Sequence, residues 1–260
     1  MLDLAALDKA LAGTIFAGHV HSKPVTGSTN ADALEAEAAG AAHGSVFVAD
    51  EQTAGRGRGD HSWISHPREG LYVSILMRLP IPALRMPLFP LAAGLAVGDA
   101  ISSVSGLKAD LRWPNDLLIG PAKVCGILAE ARAEKGVARF AIAGIGINVH
   151  QQNFPAGLAT PATSLDLASG KNCSRQDLLI ALLKNFEREA ARLLDDESAV
   201  EIPRRLSAAS SWISGKRVAV HGPQACEGTS AGLDANGFLL VRTESGMVTV
   251  QTGGMRALND

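Results

Sequence analysis

The chain has 260 residues, of which 47% are hydrophobic and 19% are charged, and its formal net charge at pH 7 is −2. This length and apolar content fit one sizeable domain with a smaller one beside it, and the small charge predicts no general attraction to nucleic acid. The three cysteines stand far apart with no CxxC pair, so neither a disulfide framework nor a zinc site is indicated. The N-terminus shows no secretory signal, and we expect a cytoplasmic location.

Hydrophobic periodicity predicts helices and strands that alternate along the chain. A helix is predicted over 31–39, and a strand over 45–52 leads into a glycine-rich loop. The long apolar stretch 88–105 is interrupted by glycines and an aspartate, so we expect a buried helix there and not a membrane span. Ser174 is predicted to cap a long amphipathic helix. Further strands are predicted over 71–79, 107–113, 116–119, 123–131 and 140–149.

The pattern changes at about residue 213. Short β runs, separated by glycine-rich turns, are predicted over 217–220, 238–242 and 247–251. We expect this segment to form a small all-β barrel. The chain would then divide into a domain of residues 1–212 and a second of residues 213–260.

The most informative loop is Gly55-Arg56-Gly57-Arg58-Gly59, directly after the strand predicted over 45–52. Glycine lets a backbone turn tightly and approach a ligand closely, and arginine offers a planar charged fork that matches phosphate or carboxylate. The alternation therefore predicts a loop that folds over a small anion, with a merely solvated basic loop as the alternative. The Walker-type and dinucleotide fingerprints do not occur, so a nucleotide would be bound by another route.

Four other segments carry polar side chains at the ends of predicted elements, and each has an ordinary structural interpretation as well. Residues 28–30 (S-T-N) would serve as helix caps. Residues 112–116 (R-W-P-N-D) would form a proline-stiffened turn, and Lys123 near Gly126 would be a solvated strand end. Asn148 would cap a buried strand. Taken singly, none of these segments decides between structure and function.

In chain order, these segments resemble the biotin–protein ligase family. The family motifs S-T-N, E-Q-x-x-G-R-G-R, W-P-N-D, K-x-x-G-I-L-x-E and G-x-G-I-N all occur between Ser28 and Asn148. The resemblance implies an α+β fold, with a mixed β-sheet flanked by helices like that of class II synthetases and lipoate ligases, and a small C-terminal β-barrel. It also implies activation of biotin by ATP and Mg²⁺ to biotinyl-5′-adenylate. Biotin would then pass to a lysine of a biotin carboxyl carrier protein domain, with release of AMP.

The resemblance also assigns roles to particular side chains. Lys123 is expected to bridge the biotin carboxylate and the α-phosphate, while Arg56 and Arg58 hold the phosphates and close over the adenylate. No protein ligand for Mg²⁺ is assigned, because the ATP phosphates are expected to hold the ion. The remaining biotin site is expected to comprise Ser28, Thr29, Asn30, Gln52, Gly55, Gly57, Trp63 and Gly126. The nucleotide site is expected to comprise Arg58, Trp113, Asn115, Asp116 and Asn148, and whether Asp116 faces metal, ribose or biotin stays open.

Two features depart from the family pattern. Most relatives continue the loop with a further Gly-Arg, whereas Asp60 and His61 stand here, and His61 would replace the lost charge only when protonated. The regulatory members carry a DNA-binding domain before S-T-N, for which the segment before Ser28 is too short. We therefore expect a monofunctional enzyme, monomeric or weakly dimeric, that binds neither DNA nor membranes.

Two other functions are compatible with the same superfamily. A lipoate or octanoate ligase or transferase would share the sheet, but the G-R-G-R loop and the C-terminal module argue against it. A non-catalytic biotin sensor would share the biotin site, but Lys123 and the short N-terminal segment argue against it.

Overall fold

The computed structural model describes residues 2–59 and 61–258. Within them, a mixed sheet of seven strands has the order β1-β2-β3-β7-β6-β5-β4. β1 and β2 run parallel, and the other neighbours pair antiparallel. The predicted mixed sheet flanked by helices is confirmed. The strands are β1 Val20–Thr26, β2 Val46–Gln52, β3 Gly70–Met77, β4 Asp110–Arg112, β5 Asp116–Ile119, β6 Ala122–Glu134 and β7 Val137–Asn148.

The long helix α3 (Leu88–Ser105) is the centre of the core and has the predicted bounds. It is apolar on nearly every face, and it ends where Gly106 adopts a left-handed conformation with φ of 78°. Phe89 of α3 contacts Phe186 edge to face, with 5.9 Å between the ring centroids. By length and composition the stretch Ala83–Ser105 is apolar enough to cross a membrane, but 61% of its most apolar window is buried in the fold, as in a core helix.

The other helices cover the sheet and connect its strands. The Ser174 hydroxyl accepts a hydrogen bond from the Asp177 main-chain N–H, so the predicted cap of α5 is confirmed. The apolar stripe of α5 is buried against the core, as its helical spacing requires. The bounds are α1 Leu4–Ala10, α2 Thr29–Ala38, α4 Leu165–Ser169, α5 Arg175–Leu194, α6 Asp196–Ala199 and α7 Glu201–Ala209, with a 3₁₀ turn at Ala83–Arg85.

The C-terminal module is an open antiparallel sheet, so the predicted barrel is wrong. Its order is β11-β10-β9-β8-β12, and no pairing of β11 with β12 closes it within the described residues. The reason lies in the link between these two edge strands. The N–H groups of Gln251 and Thr252 donate to the Gln224 side chain instead of continuing a ladder. The strands are β8 Ser214–His221, β9 Cys226–Leu233, β10 Leu239–Thr243, β11 Gly246–Val250 and β12 Gly254–Ala257.

The two parts of the chain contact each other beside the sheet edge that carries β4. The Trp113 indole N–H donates to the Gly237 carbonyl at 3.0 Å across the division. The Ser210 hydroxyl, just before the division, donates to the Leu111 carbonyl at 2.6 Å. The division at residue 212 stays a prediction. These bonds fix one end of the C-terminal sheet beside the strands that carry the candidate site.

Candidate active site

A cavity of about 220 Å³ lies between the glycine–arginine loop (residues 55–59) and strands β6 and β7. Its lining comes from segments that are far apart in the sequence, including the start of α2, the end of β2 and the turn before β5. The structure thereby brings together most of the predicted site residues in one place. These are Ser28, Thr29, Asn30, Gln52, Arg56, Gly57, Arg58, Trp63, Asn115, Asp116, Lys123 and Gly126.

Three predicted residues lie outside this cavity. Gly55 is buried at the base of the loop, where a Cβ would lie 3.0 Å from the Ser65 hydroxyl. Trp113 is 3% exposed and lines a separate groove beside the C-terminal sheet. Asn148 faces a second cavity and donates to the Thr163 carbonyl at 3.0 Å. Asp60, predicted to perturb the loop, lies outside the described residues, whereas His61 lines both cavities.

The polar groups at the start of α2 form a buried network at one end of the cavity. The N–H and hydroxyl of Thr29 donate to Gln52 Oε1 at 2.9 and 3.1 Å, and Gln52 Nε2 donates to the Ser65 hydroxyl at 2.9 Å. The Ser74 hydroxyl donates to Asn30 Oδ1 at 2.5 Å. Ser28 stands at the N-cap position but makes no side-chain capping bond, so the simple cap interpretation fails for it. This network holds several donors and acceptors in fixed positions.

Both loop arginines are held by protein groups. Arg56 Nη2 lies 2.8 Å from Glu130 Oε2, which also accepts a hydrogen bond from Asn30 Nδ2 at 2.7 Å. Arg58 Nη1 donates to the Gly253 carbonyl at 2.7 Å. Burial lowers the pKa of Arg58, and the nearby Asp116 carboxylate opposes that shift, so the guanidinium stays charged at neutral pH. The loop is therefore tied down on both sides, by Glu130 of β6 through Arg56 and by the Gly253 carbonyl through Arg58.

Lys123 belongs to a chain of three charged side chains. Its Nζ lies 2.6 Å from Asp116 Oδ1, and the other oxygen of Asp116 accepts from Arg112 Nη2 at 2.6 Å. The lysine main chain is fixed as well, because its N–H donates to the Pro161 carbonyl at 2.7 Å. Each oxygen of the Asp116 carboxylate thus faces a cation of the protein.

Glycines form the floor of the cavity beneath the Trp63 ring. A Cβ at Gly126 would lie 2.8 Å from Trp63 Cζ3, and one at Gly146 would lie 2.5 Å from Trp63 Cε2 and Nε1. A Cβ at Gly144 would collide with the Asn30 side-chain oxygen. Trp63 Nε1 is buried and has no hydrogen-bond partner among the described residues. A buried donor of this kind is costly unless a ligand satisfies it, which suits a cavity that takes a polar ligand.

A second cavity of about 370 Å³ adjoins the first and shares Trp63, Asp116 and Lys123 with it. Its other walls are the segment 153–162 and residues of the C-terminal sheet. This lining combines apolar surface, such as Phe154 and Leu158, with the side chains of Asn148 and Arg256. The pair of cavities therefore offers one compartment rich in hydrogen-bonding groups and another with an apolar face.

The sequence analysis missed several residues that shape these cavities. Glu130 is the last residue of the K-x-x-G-I-L-x-E motif, so the sequence marks its position. The sequence does not show that it pairs with Arg56. Ser74 is fully buried, and the signal for it is a lone hydroxyl within the apolar strand β3. Arg112 directly precedes W-P-N-D. Its contact with Thr160, which is 48 positions away, cannot be predicted from the spacing of residues in the sequence.

Comparisons with known proteins agree with this geometry. Residues 22–148 match the model of the biotin/lipoate A/B protein ligase family, and residues 213–254 match the biotin protein ligase C-terminal domain. A bifunctional ligase/repressor BirA from Bacillus spizizenii is 35% identical over 241 residues, which cover 88% of this chain and 71% of the relative. A biotin–[acetyl-CoA-carboxylase] ligase from Mycobacterium tuberculosis is 34% identical over 235 residues, which cover 88% of this chain and 85% of the relative.

The solved structure of biotin protein ligase from Aquifex aeolicus in complex with biotin and ATP superposes with a TM-score of 0.78 at 27% identity. The match covers 93% of this chain and 99% of that one. The fold and these relatives together define a ligase enzyme. The chain belongs to the biotin/lipoate A/B protein ligase family.

Proposed function

We propose that this ligase activates biotin with ATP to biotinyl-5′-adenylate and transfers biotin to one lysine of the carrier protein of acetyl-CoA carboxylase, with release of AMP. The observation that carries the proposal is the convergence of Lys123, Arg56 and Arg58 on one glycine-floored cavity. Relatives named biotin–[acetyl-CoA-carboxylase] ligase support the choice of acceptor. The complex of the Aquifex enzyme supports biotin and ATP as substrates.

The biotin ring is proposed to occupy the end of the cavity near α2. The ureido group has one acceptor carbonyl and two N–H donors, and the network of Thr29, Asn30 and Gln52 supplies both kinds of partner. Because Gly126 and Gly146 lack a Cβ, the Trp63 ring packs directly on the strands, and the valeryl chain is proposed to lie beside that ring. The biotin carboxylate would then point toward Lys123.

The chemical obstacle to adenylate formation is repulsion between two anions, the biotin carboxylate and the α-phosphate. Fixed cations at the meeting point stabilise the charge that develops in the transition state. Lys123 is proposed to stand at that point, and the two loop arginines would hold the phosphates from above. Closure of the loop would also keep water from the reactive mixed anhydride.

The residues fit a magnesium ion that arrives with ATP. Among residues 2–59 and 61–258 no group of three or more His, Cys, Asp and Glu is placed to hold a metal. Of the carboxylates lining or bordering the cavity, Asp116 faces Lys123 and Arg112, and Glu130 faces Arg56. The phosphates are therefore proposed to supply the oxygen ligands that Mg²⁺ prefers. The second cavity, with its apolar face near Asn148, is proposed to take the nucleoside.

The test uses the purified protein with ATP, Mg²⁺ and either biotin or lipoate. We expect ATP–pyrophosphate exchange that depends on biotin, followed by transfer of labelled biotin to a carrier domain. If ATP–pyrophosphate exchange depended on lipoate and not on biotin, the protein would be a lipoate ligase and the proposal would be wrong. Biotin binding without any exchange would favour the sensor alternative.

A further inference from the structure

Arg112 is a buried cation next to the candidate site, and its three contacts belong to three different parts of the molecule. The residue is 8% exposed. Its Nη2 donates to Asp116 Oδ2 at 2.6 Å and to the Thr160 hydroxyl at 3.0 Å. The guanidinium also lies over the Trp212 ring, with 5.4 Å from Cζ to the ring centroid. Arg112 therefore joins β4 to the wall of the second cavity and to the start of the C-terminal sheet.

The contact with Asp116 matters most for Lys123. In this structure one carboxylate is shared by two cations, at 2.6 Å each. When Lys123 turns toward an incoming carboxylate and phosphate, it must leave Asp116. Arg112 then still neutralises Asp116, which is only 16% exposed at its side chain. Without Arg112, the same movement would leave an unpaired, poorly solvated carboxylate next to a triphosphate, and such an unpaired buried charge is strongly unfavourable.

We propose that Arg112 is a positioning residue for the activation step, which acts through Asp116 to release Lys123 for its anionic substrates. This inference rests on the proposed function, because it requires anions to meet at Lys123. A structural role alone would make Arg112 needed for folding. The proposed role makes it needed for ATP binding only while Asp116 carries its charge.

The experiment is a double-mutant cycle of Arg112→Gln and Asp116→Asn in the full chain, read by the KM for ATP and the kcat of biotin-dependent pyrophosphate exchange. Arg112→Gln is expected to raise the KM for ATP by roughly tenfold or more, as for a carboxylate left unpaired. In the Asp116→Asn background, the same Arg112→Gln change is expected to alter that KM less than threefold. Arg112→Lys keeps the charge and is expected to retain most of the wild-type affinity for ATP.

A matched control separates stability from substrate binding. Arg205 pairs with Glu189 at 2.6 Å, and that carboxylate is 5% exposed, so Arg205→Gln also leaves a buried carboxylate without its main partner. Arg205 lies on α7, and it is not among the residues that line the two cavities. We expect Arg205→Gln to lower the melting temperature without changing the KM for ATP.

The possible outcomes are distinct. If Arg112→Gln leaves the KM for ATP within twofold of wild type, the proposal is wrong. If Arg112→Gln is equally harmful with and without the Asp116 charge, then Arg112 contacts ATP directly or is only structural, and the proposal is also wrong. If Arg112→Gln alone fails to fold, the double variant is compared with Asp116→Asn alone, and a change of threefold or more in the KM for ATP between these two would contradict the proposal. An inactive wild-type protein would instead contradict the proposed function itself.

Discussion

Arg58 donates a hydrogen bond to the main-chain carbonyl of Gly253 at 2.7 Å, across 195 positions of the chain. One partner is in the glycine–arginine loop, and the other is in the link between β11 and β12. Gly253 has a φ of 133°, and a Cβ there would collide with the His221 carbonyl, so the link requires glycine. The C-terminal sheet thus helps to hold the loop over the cavity, and under the proposed function it would help to retain the adenylate there.

The first prediction is that Arg58→Gly releases the adenylate prematurely. The change removes the bond to Gly253 and one of the two loop charges, so the closed loop loses both an anchor and a contact to phosphate. We expect biotin labelling of unrelated lysines in a bystander protein, which the wild type does not produce. Labelling would be measured after incubation with biotin, ATP and bovine albumin.

Arg68→Gly provides the matched control for this experiment. Arg68 is exposed, and its φ of 60° already suits glycine, so the variant loses a surface arginine without backbone strain. We expect it to label only the carrier domain. Strict selectivity of the Arg58→Gly variant would show that the loop does not act as a shield.

The second prediction concerns Lys123, whose Nζ lies 2.6 Å from Asp116 Oδ1. Lys123→Gln removes the cation at the point where two anions meet. We expect single-turnover adenylate formation to slow by at least about a hundredfold, the scale for one preorganised donor, while the fold is retained. Lys184→Gln, at an exposed position of α5, should leave the rate unchanged. A Lys123→Gln rate within threefold of wild type would refute the assignment.

The third prediction is a pair of stability changes in the core helix α3. Gly98 has room for a methyl group, since its nearest atom would be Leu117 Cδ2 at 3.9 Å. We expect Gly98→Ala to raise the free energy of unfolding by about 0.5–1 kcal/mol, the usual gain over glycine within a helix. A Cβ at Gly94 would collide with the buried Leu111 side chain, so Gly94→Ala should lower the free energy of unfolding. Chemical denaturation would contradict this account if both variants changed in the same direction.

The elements best predicted from the sequence are those with strong local signals. The bounds of α3 follow from a long, mainly apolar stretch that ends at Gly106, and the start of α5 follows from the Ser174 cap. Strand β1 gave no such signal. It is an edge strand, mostly exposed, that carries Pro24, whose missing N–H is tolerated only at an edge. Strand β9 is rich in small and polar residues and shows no apolar alternation.

The candidate site could be predicted as a set of residues but not as a set of contacts. The motifs lie in short segments, and their order along the chain identifies the family. Which side chains pair depends on how the strands assemble. Asp116 and Lys123 meet because β5 and β6 are neighbours, and Arg56 meets Glu130 because the loop folds back over β6. Trp113 belongs to the W-P-N-D motif, but its side chain points to the C-terminal sheet, where the Gly237 carbonyl accepts a hydrogen bond from the indole N–H. No local pattern carries that information.

The last prediction concerns the floor of the cavity at Gly146. A methyl group there would lie 2.5 Å from the Trp63 ring, so Gly146→Ala must push the indole into the space proposed for biotin. Overpacking by one methyl group typically costs about 1–3 kcal/mol. We therefore expect the affinity for biotin to fall by roughly tenfold.

Titration calorimetry with biotin alone would measure this loss. Gly98→Ala serves as the control, because that glycine lies on α3 and is not among the residues lining the cavity. Trp63→Phe in the Gly146→Ala background should recover part of the affinity, since the smaller ring leaves room for the methyl group. Unchanged biotin affinity in the Gly146→Ala variant would mean that the ligand does not occupy the space beside Trp63, and the proposed position of the valeryl chain would then be wrong.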